Sequence, residues 1–308
     1  MSRKIRARFV FAHIMLIALV AVIALVPNER KNVSDPFGLY VAIGIIEALY
    51  LIAIVSGRKK DPVPEGSSDI ICVVWGLLLL WEIFGPKLAI AHNVLLPSPE
   101  NVCNVFVEHG PELAMNVCSS LELLLTGYFF GMLLGVVLGV ICGWIPRLRA
   151  MFYPIANVFA PIPSVVFTPF LVILMPNYRA AAIMVILLGV FWPQFLNMIL
   201  RVGSLPSAII DNTRVLKVGN WTMITKVILP YIVPDVLKGL RVSLTTGFLM
   251  LMYAESFGAK SGIGYWISNA NVFANYANIY AGIITCGITV TVLNYFSAWL
   301  QRRFTKWR

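Results

Sequence analysis

Charge is what this sequence has least of, and negative charge above all: Asp and Glu together number 14 among 308 residues, and charged side chains make up 12% against 59% hydrophobic. That balance excludes a single soluble core, which could not hide so much apolar surface, and points to a lipid bilayer as the solvent. Histidine is scarce, with His13, His92 and His109 far apart, and the cysteine pairs lack ligand spacing, so no metal site is assembled. A phosphate loop is missing too, because Gly258-Ala-Lys-Ser261 lacks the upstream glycine, the glycine before lysine and a strand-to-helix setting. No convergent catalytic set can be put together, so no catalytic residue is assigned and an intramembrane enzyme is set aside.

What the sequence does contain is long apolar runs. Eight stand out, near residues 9–26, 37–55, 70–84, 121–143, 152–175, 180–200, 236–257 and 279–300, the third short and the fifth broken by prolines. Spanning the hydrocarbon takes roughly 17 to 25 mostly apolar residues per helix. Bare backbone polar groups are costly in lipid, so each run is read as helix even where Val and Ile dominate. The expected fold is an all-α integral membrane protein of about eight transmembrane helices. Arg3, Lys4, Arg6 and Arg8 precede the first run as in a signal peptide. That run, however, is longer than the usual apolar stretch of about 7 to 15 residues, and Ala24-Leu-Val-Pro27 is a poor cleavage site, so an uncleaved first helix is expected.

The formal charge of +10 follows from orientation. With the N-terminus inside and eight crossings, nineteen of the 24 Lys and Arg fall on inner segments, and only Arg30, Lys31, Lys87, Arg179 and Lys260 remain outside. This is the asymmetry of a correctly threaded topology, with both termini cytoplasmic, and no nucleic-acid partner follows from it. Cys72, Cys142 and Cys286 lie in apolar runs, whereas Cys103 and Cys118 fall in the outer segment, where their pairing is left open.

Residues 1–69 read as an appendage of two transmembrane helices and a cytoplasmic linker, 56–69, rich in turn formers and charge. A six-helix unit, 70–308, follows. Its outer segment, 86–120, is expected to lie along the surface. In the fourth run Gly127, Gly131, Gly135, Gly139 and Gly143 recur every fourth residue, a stripe that lets another backbone approach, and packing is its expected role. The fifth run holds Pro154, Pro161, Pro163 and Pro169, and irregular backbone at membrane depth must face protein or water, so Pro161, Pro163 and Ser164 are candidates to line the path. Between the sixth and seventh runs, the loop 201–235 is too polar for the bilayer yet patterned as two short amphipathic helices, with Val215, Leu216, Ile224, Val227 and Ile228 at helical spacing. A basic inner loop with an apolar face suits docking against a cytoplasmic partner.

In that loop, Asp211-Asn-Thr-Arg-Val-Leu-Lys217 followed by Ile228-Leu-Pro230 resembles the permeases of type I ATP-binding-cassette importers, whose inner loop carries Glu-Ala-Ala, three residues, Gly, then Leu-Pro. Here Asp211 stands for Glu, Asn212 and Thr213 for both alanines and Lys217 for Gly, with Gly219 two residues later to supply the turn. The resemblance extends from about Trp81 to Phe304 through Leu95-Leu-Pro-Ser-Pro99, Ala160-Pro-Ile-Pro163, Lys238-Gly-Leu-Arg241, Ala254-Glu-Ser-Phe-Gly-Ala259 and Gly262-Ile-Gly264. It looks like the nitrate, sulfonate and taurine branch, and the first two helices lie outside it.

The resemblance implies a coupling role for Asp211, Asn212, Thr213, Arg214, Lys217, Gly219, Trp221 and Pro230. It implies a second permease copy, two cytoplasmic ATPases carrying ATP and Mg, an external substrate-binding protein, a bacterial inner-membrane location and no cofactor on this chain. Translocation would proceed by alternating access. A nitrate-, sulfonate- or taurine-like anion is favoured as substrate, with heterocyclic vitamin precursors left open.

Polar groups within the runs complete the candidates. Gln194, Asn197, Thr245 and Thr246 are placed along the path. Glu255, where the family also has Glu, is expected to gate or pin a helix. Glu82 and Glu122 are expected near water, and Glu47 is expected to pin its helix to His13. A secondary transporter is the rival reading, but it should show inverted repeats and buried coupling carboxylates, whereas this chain has one long patterned inner loop and no evident repeat.

Overall fold

A computed structural model describes residues 3–57, 65–90, 92 and 95–304. Linker residues 58–64 and the basic residues Lys306 and Arg308 lie outside them. Among the described residues there is no strand. The helices are α1 Arg3–Leu25, α2 Phe37–Gly57, α3 Glu65–Glu82, α4 Pro99–Glu108, α5 Gly110–Trp144, α6 Pro146–Phe159, α7 Thr168–Leu174, α8 Tyr178–Gly203, α9 Ser207–Val215, α10 Asn220–Thr222, α11 Leu229–Glu255, α12 Ile263–Val272 and α13 Tyr276–Phe304.

All eight apolar runs are helical. Among the described residues six elements are long and apolar enough to cross a membrane, and α6 with the 164–174 segment forms a pair bent by 80° that counts as a seventh where the pair is one span. The eighth, α11, is long enough, but Arg241 and Glu255 leave only thirteen uncharged residues between them, 242–254. Two expectations need correction. The third run is not short: a π-helical turn, Ile83–Lys87, continues α3 to give a 22-residue span. The outer segment does not lie flat throughout, since its second half, from Gly110, is the start of the 35-residue α5.

Contacts divide the chain into two compact units, Met1–Leu113 with Asn269–Ile283, and Ala114–Ser268 with Ile284–Arg308. In the first, Leu19, Leu39, Ile43, Tyr50, Ile71 and Trp75 form the shared core of α1, α2 and α3. His13 Nε2 approaches Glu47 Oε1 at 3.1 Å while Nδ1 faces the Phe9 carbonyl at 2.9 Å. Cys103 and Cys118 are free, and burial, then the charge of Glu100, pushes the Cys103 thiol up to about 11, which keeps it protonated and unreactive.

The second unit is built on the glycine stripe. A Cβ at Gly131 would stand 2.9 Å from the Leu187 carbonyl oxygen, one at Gly135 3.1 Å from that of Phe191, and one at Gly139 2.8 Å from that of Phe195. Bare glycine therefore lets α5 lie backbone against backbone on α8 over roughly four helical turns, the kind of contact that holds helices together where lipid removes the hydrophobic drive. Around this pair, Leu124 and Tyr128 of α5, Ile186 and Val190 of α8, and Phe248 and Leu251 of α11 form the main core.

Gly139→Val should destabilise the protein by about 1–3 kcal/mol through overpacking, whereas Gly44→Ala, where a Cβ meets nothing within 4 Å, should be neutral or stabilising. Thermal unfolding in detergent of the two variants checks this.

Candidate functional site

The loop 201–235 has two faces. Leu205, Met223, Ile228 and Ile232 are buried against Val140, Met198 and Val202 at the ends of α5 and α8, which fastens the loop to the glycine-packed pair. On its other side Val215, Leu216 and Trp221 stand 81%, 74% and 71% exposed. Asp211, Asn212, Gly219 and Pro230 are exposed as well, Thr213 is half-buried, and the side chain of Arg214 lies outside the described residues. Exposed apolar side chains in a polar loop on a braced base are the form of a docking surface.

The end of α9 explains the departure at position 217. The Val218 N–H donates to the Thr213 carbonyl at 3.0 Å, the reach of a Schellman motif, and Lys217 supplies its left-handed residue with φ +52°. Gly219 does not make the turn; it caps α10 in extended conformation at φ −69°. A left-handed backbone of the kind that glycine adopts freely is thus held here by a lysine, against a preference of about 1–2 kcal/mol.

At the broken span, Ala160, Pro161, Ile162 and Pro163 separate α6 from a 3-10 turn, Ser164–Phe167, that leads into α7. Pro161 and Pro163 are exposed. Ser164 is buried, with its Oγ 2.5 Å from where a Gly189 Cβ would be, so Gly189 is what lets the break sit on α8. The hydroxyls of Ser164 and Thr168, both buried, have no hydrogen-bond partner among the described residues. Gln194 lies in the α5–α8 contact, its Cβ 3.0 Å from a Cβ built on Gly135, and its buried Nε2 is likewise unpartnered. Asn197 and Thr246 are exposed. Thr245 Oγ1 contacts the Arg241 carbonyl at 3.0 Å and Asn294 Oδ1 at 3.3 Å, which ties α11 to α13.

Glu255 is 1% exposed, at the end of α11. Ser120 Oγ donates to its Oε1 and the Gly264 N–H to its Oε2, both at 2.7 Å. Ser120 in turn accepts from the Ile263 N–H at 2.9 Å, and Asn116 Oδ1 accepts from the Gly262 N–H at 2.7 Å. These bonds satisfy the first N–H groups of α12, so one carboxylate joins α5, α11 and α12. Glycine is required at 262 for two reasons: its φ is +121°, and a Cβ there would collide with the Glu255 carboxylate. Ser120 and Asn116 escape sequence reading, because small polar residues in an outer segment carry no sign of partners some 140 positions away.

The other carboxylates divide. Glu122 is exposed and pairs with Arg179. Glu82 does not reach water: it is 0% exposed, with Lys87 Nζ 3.4 Å away. Lys87 also donates to the carbonyls of Val26 at 2.7 Å and Ile23 at 3.3 Å. The α3 extension carries the carboxylate and the ammonium into one buried cluster, where each lessens the other's desolvation cost. Among the described residues, no group of three or more His, Cys, Asp or Glu could hold a metal ion.

Residues 135–308, more than half the chain, match the binding-protein-dependent transport system inner membrane component family, and the chain belongs to that family. It is a multi-pass inner-membrane permease subunit of an ATP-binding-cassette importer. It is 28% identical to the putative aliphatic sulfonates transport permease protein of Bacillus subtilis (strain 168), covering 75% of this chain and 84% of that one. It is 26% identical to the taurine transport system permease protein of Escherichia coli (strain K12), over 79% and 88%, and 26% identical to the bicarbonate transport system permease protein of Synechococcus elongatus, over 74% and 86%. Its fold is similar to a chain of the inward-facing MetNI methionine ABC transporter, with a TM-score of 0.57 and 18% identity, covering 64% of this chain and 98% of that one.

Gly262→Ala should cost about 2–3 kcal/mol, combining backbone strain with the collision, while Gly258→Ala, at φ +95° with nothing within 4 Å, should show the backbone share alone. Equal losses in thermal unfolding would remove Glu255 from the explanation. Lys217→Gly should stabilise the loop by up to about 1 kcal/mol, read as slower proteolysis between α9 and α11.

Proposed function

We propose that the chain forms the substrate path of an importer for a small oxyanion, as a pair of copies driven by two ATPases docked on the 201–235 loop. The observation that carries this reading is the two-faced loop: Met223 and Ile228 anchor it to α5 and α8 while Val215, Leu216 and Trp221 remain uncovered. In this reading Asp211, Asn212, Thr213, Arg214, Lys217, Gly219 and Pro230 complete the coupling surface. ATP and Mg act on the partner subunits. Their closure would move each loop as a lever on the α5–α8 pair, opening the path alternately to the two sides.

The relatives named for sulfonates, taurine and bicarbonate support an oxyanion as cargo, delivered by an external binding protein. The apolar runs offer it no Lys or Arg at mid-depth, so uncharged donors would carry recognition, and the partnerless Ser164 and Thr168 hydroxyls at the broken span are suited to that. Glu255 acts as a pin holding the outer end of α11 to α12, away from the cargo. The basic asymmetry puts both termini and the loop in the cytoplasm, with the 1–69 segment preceding the permease core.

Pull-down of this chain from its native membrane should bring an ATP-binding-cassette ATPase with it. Leu216→Glu should reduce the retained ATPase by about tenfold, an effect of roughly 1.4 kcal/mol, and Asp211→Lys should leave ATP hydrolysis running without uptake. Recovery of the chain with no ATPase would overturn the reading.

A further inference from the structure

Beneath the loop lies a cavity of about 690 Å³ that the transport reading leaves unused. It opens where the end of α5, the start of α6, the end of α8 and the α9–α10 segment converge, and Trp144, Arg149, Tyr153, Gly203 and Asn220 line it. Its charge is one-sided. No Asp or Glu is among the lining residues, and the Arg149 guanidinium lies against the bare Cα of Gly203, with no carboxylate or hydrogen-bond partner among the described residues. Trp144 Nε1 donates to Asn220 Oδ1 at 3.2 Å, which leaves the Asn220 amide hydrogens for a further acceptor. A fork of N–H donors on a cation beside a free amide matches the oxygens of a phosphate.

The setting selects the source of that phosphate. The cavity floor, Gly143 and Val202, belongs to the apolar α5–α8 contact, and its rim carries Trp144 and Tyr153, the residue types that settle at the headgroup level of a bilayer. Its side of the membrane is the one where basic residues accumulate, the cytoplasmic side by the charge asymmetry, where anionic lipids attract them. We propose that this cavity is a binding site for a phosphate group, supplied by the headgroup of an anionic phospholipid. Because Ile210 and Asn220 belong both to the cavity wall and to the loop, a lipid seated there braces the loop from the membrane side.

Native mass spectrometry of the full chain, delipidated in detergent and titrated with phosphatidylglycerol, phosphatidylcholine or inorganic phosphate, tests this. Phosphatidylglycerol should be retained at least fivefold over phosphatidylcholine, and Arg149→Gln should abolish that preference. Arg147→Gln, on the same elbow but outside the cavity lining, should keep it. Gly203→Val, which displaces the guanidinium without removing it, is the second variant, with elution as a single species confirming that both fold. Equal retention of the two lipids, or a preference that survives both cavity variants, would sink the site. Saturation by inorganic phosphate with no lipid adduct would overturn the lipid as its source.

Discussion

In a bilayer the hydrophobic effect does not press helices together, so what holds this bundle is how closely two backbones approach, and the stripe from Gly127 to Gly143 sets that distance. Because α5 and α8 touch through main chain, they pack as one body. The two features proposed to act in transport are both mounted on it. The broken span sits on α8 through Gly189, and the loop is pinned to the inner ends of both helices by Met223 and Ile228. The exposed side chains of the loop are thus joined through a buried base to the closely packed helix pair.

At the other end the same body is closed by polar bonds. Glu255 is out of water, and it remains tolerable because two hydrogen bonds fix its oxygens and Ser120 relays a third to α12. The contrast with Ser164 and Thr168 is informative. The Glu255 network is saturated and so suited to holding one geometry, whereas hydroxyls left without partners at the break are suited to a group that comes and goes.

The sequence shows the spans clearly, because length and apolarity are local properties and lipid permits only helix. It shows the glycine stripe and its packing role for the same reason, since a repeat of four is visible within one helix. What it hides depends on distance. Asn116 and Ser120 look like loop residues until α12 returns to them, which is why α5 begins eleven residues before its apolar run. Glu82 looks like an interfacial carboxylate because nothing in the spacing of Glu82, Lys87 and the carbonyls near Val26 announces that they meet in a buried cluster. Gly219 looked like the turn-maker since glycine is the default for a left-handed residue, yet the hydrogen bond from Val218 to Thr213 fixes the turn at 217.

That lysine has a consequence beyond the turn. The last carbonyls of α9 form the negative end of a helix dipole, and Lys217 places an ammonium-bearing side chain one residue past the cap, an attraction of about 0.3–1 kcal/mol that falls as salt screens it. A glycine would hold the same corner with no regard for its surroundings. With lysine, part of the strain is offset by an electrostatic attraction, so the stability of this corner depends on ionic strength.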